Sequence, residues 1–399
     1  MRLMFVHYGD APLRGSEKML LSLMRYLSSK GHTVFLWCNQ ESLRNESIVC
    51  CEKTHLYCDL PPFGFFDDGF KIITSAKRFT SLFRQGCSLL KSWHPDLIVC
   101  NGLAPSQWMS HCANLRGVPF VVHLHSNPLM HSRTTSFAYS AACIFGVSDF
   151  VLDGFRKDGM NPAKCIMVPN GVREPVISFS RAEARAALGY ALDETVVASI
   201  GAMVDLKRYD IAIAAITKAR SKISGSLRFL LVGDGPLMSV LHNQSDMGSI
   251  EFLGWRSDVD LIISASDFIL STSEREAFGL TLIEAAALSR PSVIASIGGQ
   301  SEIVVDGQTG LHFLAGSVDD CSAKIVALAS SPALVNELGQ AAFLRYQALY
   351  TDSAMNTRIE THLLHVMTSI GPSFFEKMFV FSSGLYLLFR IVVRRFFAP

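Results

Sequence analysis

At 399 residues the chain is long enough for two ordinary domains, each with its own core. Its net charge of +1 and its 18% of charged residues supply no basic surplus, so no nucleic-acid partner is expected. The hydrophobic fraction of 49% and the mean hydropathy of +0.28 are high, and part of that excess gathers near the C-terminus.

Leu3 to His7 is a short apolar run, too short for a signal peptide, and reads as a first strand; a cytoplasmic protein is the expectation. It runs through Tyr8-Gly9-Asp10 and Arg14-Gly15-Ser16 into a helix over 17–29, which buries Leu20, Leu21, Leu23, Met24 and Leu27 and ends at Gly31. Thr33 to Trp37 is the next strand. The order strand, glycine loop, helix, strand is a βαβ unit and implies a parallel sheet, without the GxGxxG of a dinucleotide site. Cys50, Cys51 and Cys58 form the only close cysteine cluster, with the single His55 beside it. Free, mostly buried thiols account for it more simply than a metal does.

Residues 70–93 carry Lys71, Lys77, Arg78, Arg84 and Lys91 and no acid, with Ile72, Ala76, Phe79, Phe83 and Leu90 at helical spacing and Asp67 and Asp68 as caps. Such a helix is a candidate for an anionic membrane surface, and equally for an outer helix whose lysines stand in water. Strands over 97–100, 120–124, 144–147 and 166–168 then alternate with helices near 105–115, 132–141 and 148–158. Ligands of open α/β sheets bind at the carboxyl ends of the strands. There the chain places Asn101-Gly102, His123 to Asn127, and Ser148-Asp149.

From about Ser180 the pattern restarts. Strands are expected over 195–201, 227–232, 250–254, 268–272 and 293–296, with a helix over 207–221 and Gly233-Asp234-Gly235-Pro236 closing the second strand. This is a second parallel sheet. The stretch TSEREAFGLTLIEAAALSRP, 272–291, reads as loop, tight turn and amphipathic helix. Gly279 permits a close backbone approach, and the amides of Leu280 and Thr281 fall in the first helical turn, where a phosphate is held. Glu276 before the turn and Glu284 within the helix flank that position. A pair of glutamates is by itself a weak motif, equally at home on a solvent-facing loop. Asp258-Val259-Asp260 follows Trp255-Arg256 and opens a helix, so it reads as an N-terminal turn and not as a metal site.

FLGW (252–255), SDFILSTSEREAFGLTLIEAAALSRPSVIAS (266–296) and GGQSEIVVDGQTGLHF (298–313) together resemble the donor half of the retaining glycosyltransferases of family 4. The resemblance implies the GT-B fold, an α/β architecture of two Rossmann-like domains whose parallel sheets face an interdomain cleft. It implies that Glu276 and Glu284 contact the donor sugar and the nucleotide ribose. Phe278, Gly279, Leu280 and Thr281 belong to the same donor element. Gly15 resembles the family's glycine loop, although a plain strand-to-helix turn accounts for it as well. His125 resembles the cleft histidine near the reacting sugar, VPNGV (168–172) the hinge, and Gly233, Gly235 and Phe252 to Arg256, with Trp255, the segments around the nucleobase.

In GAMVDLKR, Gly201 to Arg208, the family reads Gly-Arg, four residues, then Lys, and the two cations hold the diphosphate. Here Lys207 is present, Ala202 replaces the arginine, and Arg208 is the candidate substitute. His125, Glu276 and Lys207 are thus the expected catalytic residues. The implied chemistry is transfer of a sugar with retention from a nucleotide sugar to a glycan or lipid-linked acceptor, without metal or cofactor. The alternatives on the same fold are an epimerase or hydrolase and a catalytically weak membrane-anchored subunit.

Residues 1–170 are expected as the acceptor domain, 171–350 as the donor domain, and 351–370 as a closing helix that crosses back to the first. Residues 371–399 form an apolar, basic tail. Within it Met378 to Phe389 is about 12 residues long against the roughly 20 that span a bilayer. With Lys377, Arg390, Arg394 and Arg395 around it, residues 372–399 read as an in-plane or half-inserted anchor on an anionic leaflet, or else as a packed helix.

Overall fold

The computed structural model describes residues 1–9, 13, 15–57, 59, 61, 72–175, 179–244 and 250–369. The chain divides into two compact units. The first holds Met1–Val168 and the chain from Asn356 on, the second Pro169–Met355.

In the first unit the strands are β1 (Arg2–His7), β2 (Thr33–Cys38), β3 (Lys53–Leu56), β4 (Leu97–Asn101), β5 (Phe120–Leu124), β6 (Cys143–Gly146) and β7 (Cys165–Met167). They form one parallel sheet in the order β3-β2-β1-β4-β5-β6-β7. The helices are α1 (Gly15–Ser29), α2 (Glu41–Ser47), α3 (Ile72–Trp93), α4 (Leu103–Arg116), α5 (Met130–Thr135) and α6 (Asp149–Lys157). Helices cover both faces of a parallel sheet, so its strands are apolar throughout rather than alternating; Leu3 to Val6, Leu97 to Cys100 and Phe120 to Val122 are all buried.

The second unit repeats the plan. Its strands β8 (Thr195–Ile200), β9 (Leu227–Val232), β10 (Ile250–Gly254), β11 (Phe268–Ser271), β12 (Ser292–Ala295) and β13 (Gly310–Phe313) pair in parallel in the order β10-β9-β8-β11-β12-β13. Around them lie α7 (Arg181–Leu188), α8 (Tyr209–Arg220), α9 (Met238–Gln244), α10 (Val259–Ala265), α11 (Leu280–Ala287), α12 (Gln300–Ile303), α13 (Val318–Ala329) and α14 (Pro332–Leu349). The core packs Phe229, Leu231, Phe268, Leu270 and Phe313 of the sheet against Ile211, Ile216, Ile325 and Leu328.

α15 (Asp352–Ser369) begins in the second unit and joins the first at Asn356. Before that point, Thr351 bridges to Val172 and Gly171 lies so close that a Cβ on it would stand 2.3 Å from the Thr351 carbonyl oxygen. Beyond it the helix docks on α1: Asn356 Nδ2 donates to Ser22 Oγ at 3.1 Å, and Glu360 receives Tyr26 Oη at 2.9 Å and pairs with His32 Nε2 at 2.9 Å. Residues 370–399, and with them the tail anchor, lie outside the described residues, as do Asp67 and Asp68.

Three local expectations change. The helix expected over 132–141 stops at Thr135, because Phe137 takes the left-handed conformation (φ +55°) and packs edge-on to His111, ring centroids 4.6 Å apart. The helix expected from Lys207 starts at Tyr209, because Arg208 is left-handed (φ +49°). On α3 the buried stripe is Leu82, Gly86, Leu90 and Trp93, and Ala76 faces solvent. Lys77, Arg84 and Lys91 are exposed as expected.

Candidate active site

A doubly wound sheet opens a crevice where its strand order reverses. In the second unit the reversal lies between β8 and β11, and the loops leaving those two strands carry Lys207 and Glu276. Parallel pairing brings the residues together although 68 positions separate them in the chain. Lys207 Nζ stands 2.5 Å from Glu276 Oε2, with both side chains largely covered.

Several backbone links hold the two loops. Thr272 Oγ1 donates to the carbonyls of Lys207 (2.8 Å) and Arg208 (2.9 Å), and the Glu274 amide donates to Leu206 O at 3.0 Å. From behind, Gly298 (φ +72°) approaches so closely that a Cβ would stand 2.6 Å from Glu276 O, and the Gly299 amide donates to that same oxygen at 2.8 Å. The fully buried Gln300 donates to Ser273 O and Ala295 O and accepts from Ser271 Oγ. Gly298 and Gln300 lay within the quoted family stretch, yet only the folded loop reveals what they hold.

Gly279 is the N-cap of α11 (φ +108°, ψ +70°), where a side chain would be strained. The first hydrogen bond of the helix runs from Leu282 N to Gly279 O. The amides of Leu280 and Thr281 therefore lie in the first turn, ahead of the helical bonding pattern, at the positive end of the helix. Ser199, Lys207, Tyr209, Thr272, Ser273 and Thr281 line a pocket at this point. It brings together a cation, hydroxyls and a helix terminus, a combination suited to a phosphate group. Burial, reinforced by the neighbouring Glu276 charge, raises the Tyr209 phenol well above its ordinary range, so it stays protonated as a donor. Glu284 sits half-buried on α11.

The loops after β8 and β9 meet through glycine. A Cβ on Gly233 (φ +134°) would stand 2.0 Å from Gly201 O, and one on Gly235 would stand 2.5 Å from Met203 O. Trp255 is 75% exposed at the end of β10. Two residues stand apart from the pocket. Phe278 is buried and packs edge-on to Tyr350 (6.1 Å, 74°), so its side chain belongs to the core. Arg208 is clasped by Asp210, at 3.0 Å and 2.9 Å, and also by Glu274. Its guanidinium is thus engaged with carboxylates rather than presented as a second phosphate cation in place of Ala202, which is exposed. Asp258 is likewise held in a fork by Arg256 (2.8 and 2.6 Å). Among the described residues no group of three His, Cys, Asp or Glu side chains is placed to hold a metal.

In the first unit the strand order reverses between β1 and β4. Gly15 is the first residue of α1. His125 follows β5 and is half-buried; its Nε2 lies 2.9 Å from Asn101 Oδ1 at the end of β4, and its ring lies 4.2 Å from that of His123. His123 sits on the strand, 3% exposed, and burial lowers it to about 4, which keeps it neutral. Asn101, expected at a strand's carboxyl end, lies buried beside them, and so do His7 and Glu17, which sequence reasoning did not single out as site residues. The available signal was faint: His7 and Asn101 are the polar last residues of two otherwise apolar strands.

Residues 180–345 match the model described as glycosyl transferases group 1, and residues 13–174 match glycosyltransferase family 4. The chain is 32% identical over 146 residues to an uncharacterized glycosyltransferase of Methanocaldococcus jannaschii, covering 35% of this chain and 40% of that one. It is 31% identical over 193 residues to the D-inositol 3-phosphate glycosyltransferase of Segniliparus rotundus, covering 45% and 42%. The matches thus span about two fifths of these relatives' own lengths. By fold it is similar to Anabaena HepE, solved in complex with UDP and glucose, with a TM-score of 0.73 at 18% identity over 93% of this chain and all of that one. The two parallel-sheet units share the GT-B fold of that structure.

Proposed function

We propose, from the premise that this chain belongs to the glycosyl transferases group 1 family, that it moves a sugar from a nucleotide-sugar donor to a glycan or lipid-linked acceptor with retention at the anomeric carbon. The observation that carries the reading is the Lys207–Glu276 pair at the crevice of the second sheet, beside the first turn of α11. In this reading the donor diphosphate lies against Lys207 and the amides of Leu280 and Thr281. Glu276 and Glu284 accept from sugar and ribose hydroxyls. The bond from the anomeric carbon to the diphosphate oxygen breaks, and its electrons leave with the diphosphate. The acceptor hydroxyl adds to the anomeric carbon on the face just vacated and gives up its proton to the departing diphosphate oxygen.

Transfer then needs positioning and stabilisation of the leaving group, which a preorganised cation and helix terminus supply without metal. Trp255, Gly233 and Gly235 face the nucleobase in this reading, and His125 serves the reacting sugar. UDP, the nucleotide bound by the Anabaena protein, is a reasonable first donor nucleotide. Residues 1–170 hold the acceptor and 171–350 the donor. The exposed Lys77, Arg84 and Lys91 and the composition of 372–399 support contact with an anionic membrane from the cytoplasmic side. Among the described residues no helix is long and apolar enough to cross a membrane.

Ala202, with Arg208 clasped by carboxylates, favours a second reading: a donor-binding subunit with weak catalysis. Purified protein incubated with UDP-, GDP- and dTDP-sugars separates the cases. Nucleotide release that requires an added glycan-lipid extract supports transfer. Release or isomerisation without acceptor means a hydrolase or epimerase, and binding without release means the weak subunit.

A further inference from the structure

The carboxyl ends of β1, β4 and β5 carry a connected row of polar side chains. Parallel register sets His7 beside Asn101, and Asn101 beside His123. Glu17 Oε1 of α1 lies 3.2 Å from His7 Nε2. Asn101 Nδ2 lies 2.9 Å from His7 Nδ1, and Asn101 Oδ1 lies 2.9 Å from His125 Nε2. Glu17, His7 and Asn101 are only 3–4% exposed. Ser16 Oγ donates to Glu17 Oε2 at 2.9 Å, and Tyr57 Oη donates to the His7 carbonyl at 2.8 Å, which fixes both ends of the inner part of the row.

Hydrogen-bond chemistry gives the row a direction. A carboxylate only accepts, so the proton between Glu17 and His7 sits on His7 Nε2. The group facing Nδ1 is the amide nitrogen of Asn101, a donor, so Nδ1 accepts. The amide oxygen is thereby turned to His125 and accepts from its Nε2–H. An amide that would otherwise be free to flip is thus locked by a buried histidine, and that histidine by a buried carboxylate. Four polar side chains in an apolar sheet edge are costly unless all are satisfied. The rest of β1, Leu3 to Val6, shows that apolar residues build this sheet without them.

We infer that Glu17, His7 and Asn101 are positioning residues which hold His125 as its Nε2–H tautomer and fix its ring for sugar transfer. The inference rests on the transfer reading for its purpose, but the tautomer can be measured without any substrate.

The test is long-range ¹H–¹⁵N correlation on protein labelled at histidine, with the His125 signals identified by their loss in His125→Phe. The wild type shows a single Nε2–H tautomer at His125. Asn101→Asp, which keeps an acceptor there, retains it, whereas Asn101→Leu and His7→Phe lose it. In parallel, kcat for nucleotide release from the sugar nucleotide that the wild type turns over falls about 10- to 100-fold in Asn101→Leu and His7→Phe, with the donor KM within about twofold. Loss of packing alone would lower the folded fraction and leave the tautomer of the folded molecules unchanged. An unaltered His125 tautomer in Asn101→Leu, or in His7→Phe if the former does not fold, overturns the inference. A shifted tautomer in a protein whose wild type releases no nucleotide from any UDP-, GDP- or dTDP-sugar upholds the row and overturns the transfer reading.

Discussion

Replacing Gly298 with alanine tests how the Glu276 loop is held. Two penalties enter. The first is the left-handed backbone (φ +72°), which costs a side-chain-bearing residue about 1 kcal/mol. The second is spatial. The new Cβ would stand 2.6 Å from Glu276 O and 3.3 Å from Glu276 N, both backbone atoms that no rotamer change can move aside. Even an unusually tight contact needs about 3.0–3.4 Å, so the Glu276 backbone must retreat by at least roughly 0.4–0.8 Å. A shift of that size at a reacting group lowers turnover on the order of tenfold or more.

Gly307 supplies the control. It has nearly the same backbone (φ +68°), and a Cβ on it meets nothing within 4 Å. Gly307→Ala should therefore carry the conformational penalty alone, a fall in melting temperature of about 2–4 °C with unchanged kcat and KM. Gly298→Ala should melt lower still and lose turnover. Thermal melts and nucleotide release measured side by side separate the two effects. If the variants coincide in both, the close approach of Gly298 does not position Glu276, and the reasoning fails.

Three further outcomes follow from the same structure. Lys207→Ala should lower kcat/KM for donor turnover about 10- to 150-fold, the worth of a charge-assisted contact of about 1.5–3 kcal/mol, measured by initial rates across donor concentrations. His123 is kept neutral by burial, about 4 against an ordinary 6.5. Its contribution is therefore intact above pH 6.5 and is lost as pH falls towards 4, about 2 kcal/mol at pH 5. Burial lowers His111 and His362 in the same direction, so urea unfolding of wild type and His123→Phe at pH 7 and pH 5 isolates the term; equal pH dependence in the two refutes it. Deleting residues 372–399 should release the protein from vesicles containing anionic lipid in a sedimentation assay, and unchanged pelleting refutes the anchor.

Much of the fold was legible because parallel strands buried on both faces are written as unbroken apolar runs; β5, β9 and β10 fall where the sequence places them. β3 and β13 were not so written. Lys53 to Leu56 is an edge strand with Lys53 and His55 exposed, and Gly310 to Phe313 is short with a central His312, so neither shows the apolar signal. The boundary at Tyr209 was hidden because only tertiary support, the Thr272 hydroxyl on the carbonyls of Lys207 and Arg208, sustains a left-handed arginine.

In the site, Lys207, Glu276 and Gly279 were visible through their setting, whereas the clasp on Arg208 was not. Asp210 and Glu274 approach it from two different segments, and nothing local in the sequence joins the two. The Glu17–His7–Asn101 row was invisible for the same reason: three unremarkable polar residues become one network only when parallel register aligns β1 with β4.

The central claim is that the Lys207–Glu276 crevice holds a nucleotide sugar for transfer. Nucleotide release by wild type and Glu276→Ala, at matched protein concentration and matched far-UV circular dichroism, tests it most directly. The account predicts acceptor-dependent release by the wild type and none above background in Glu276→Ala. Equal release by the two proteins would contradict it.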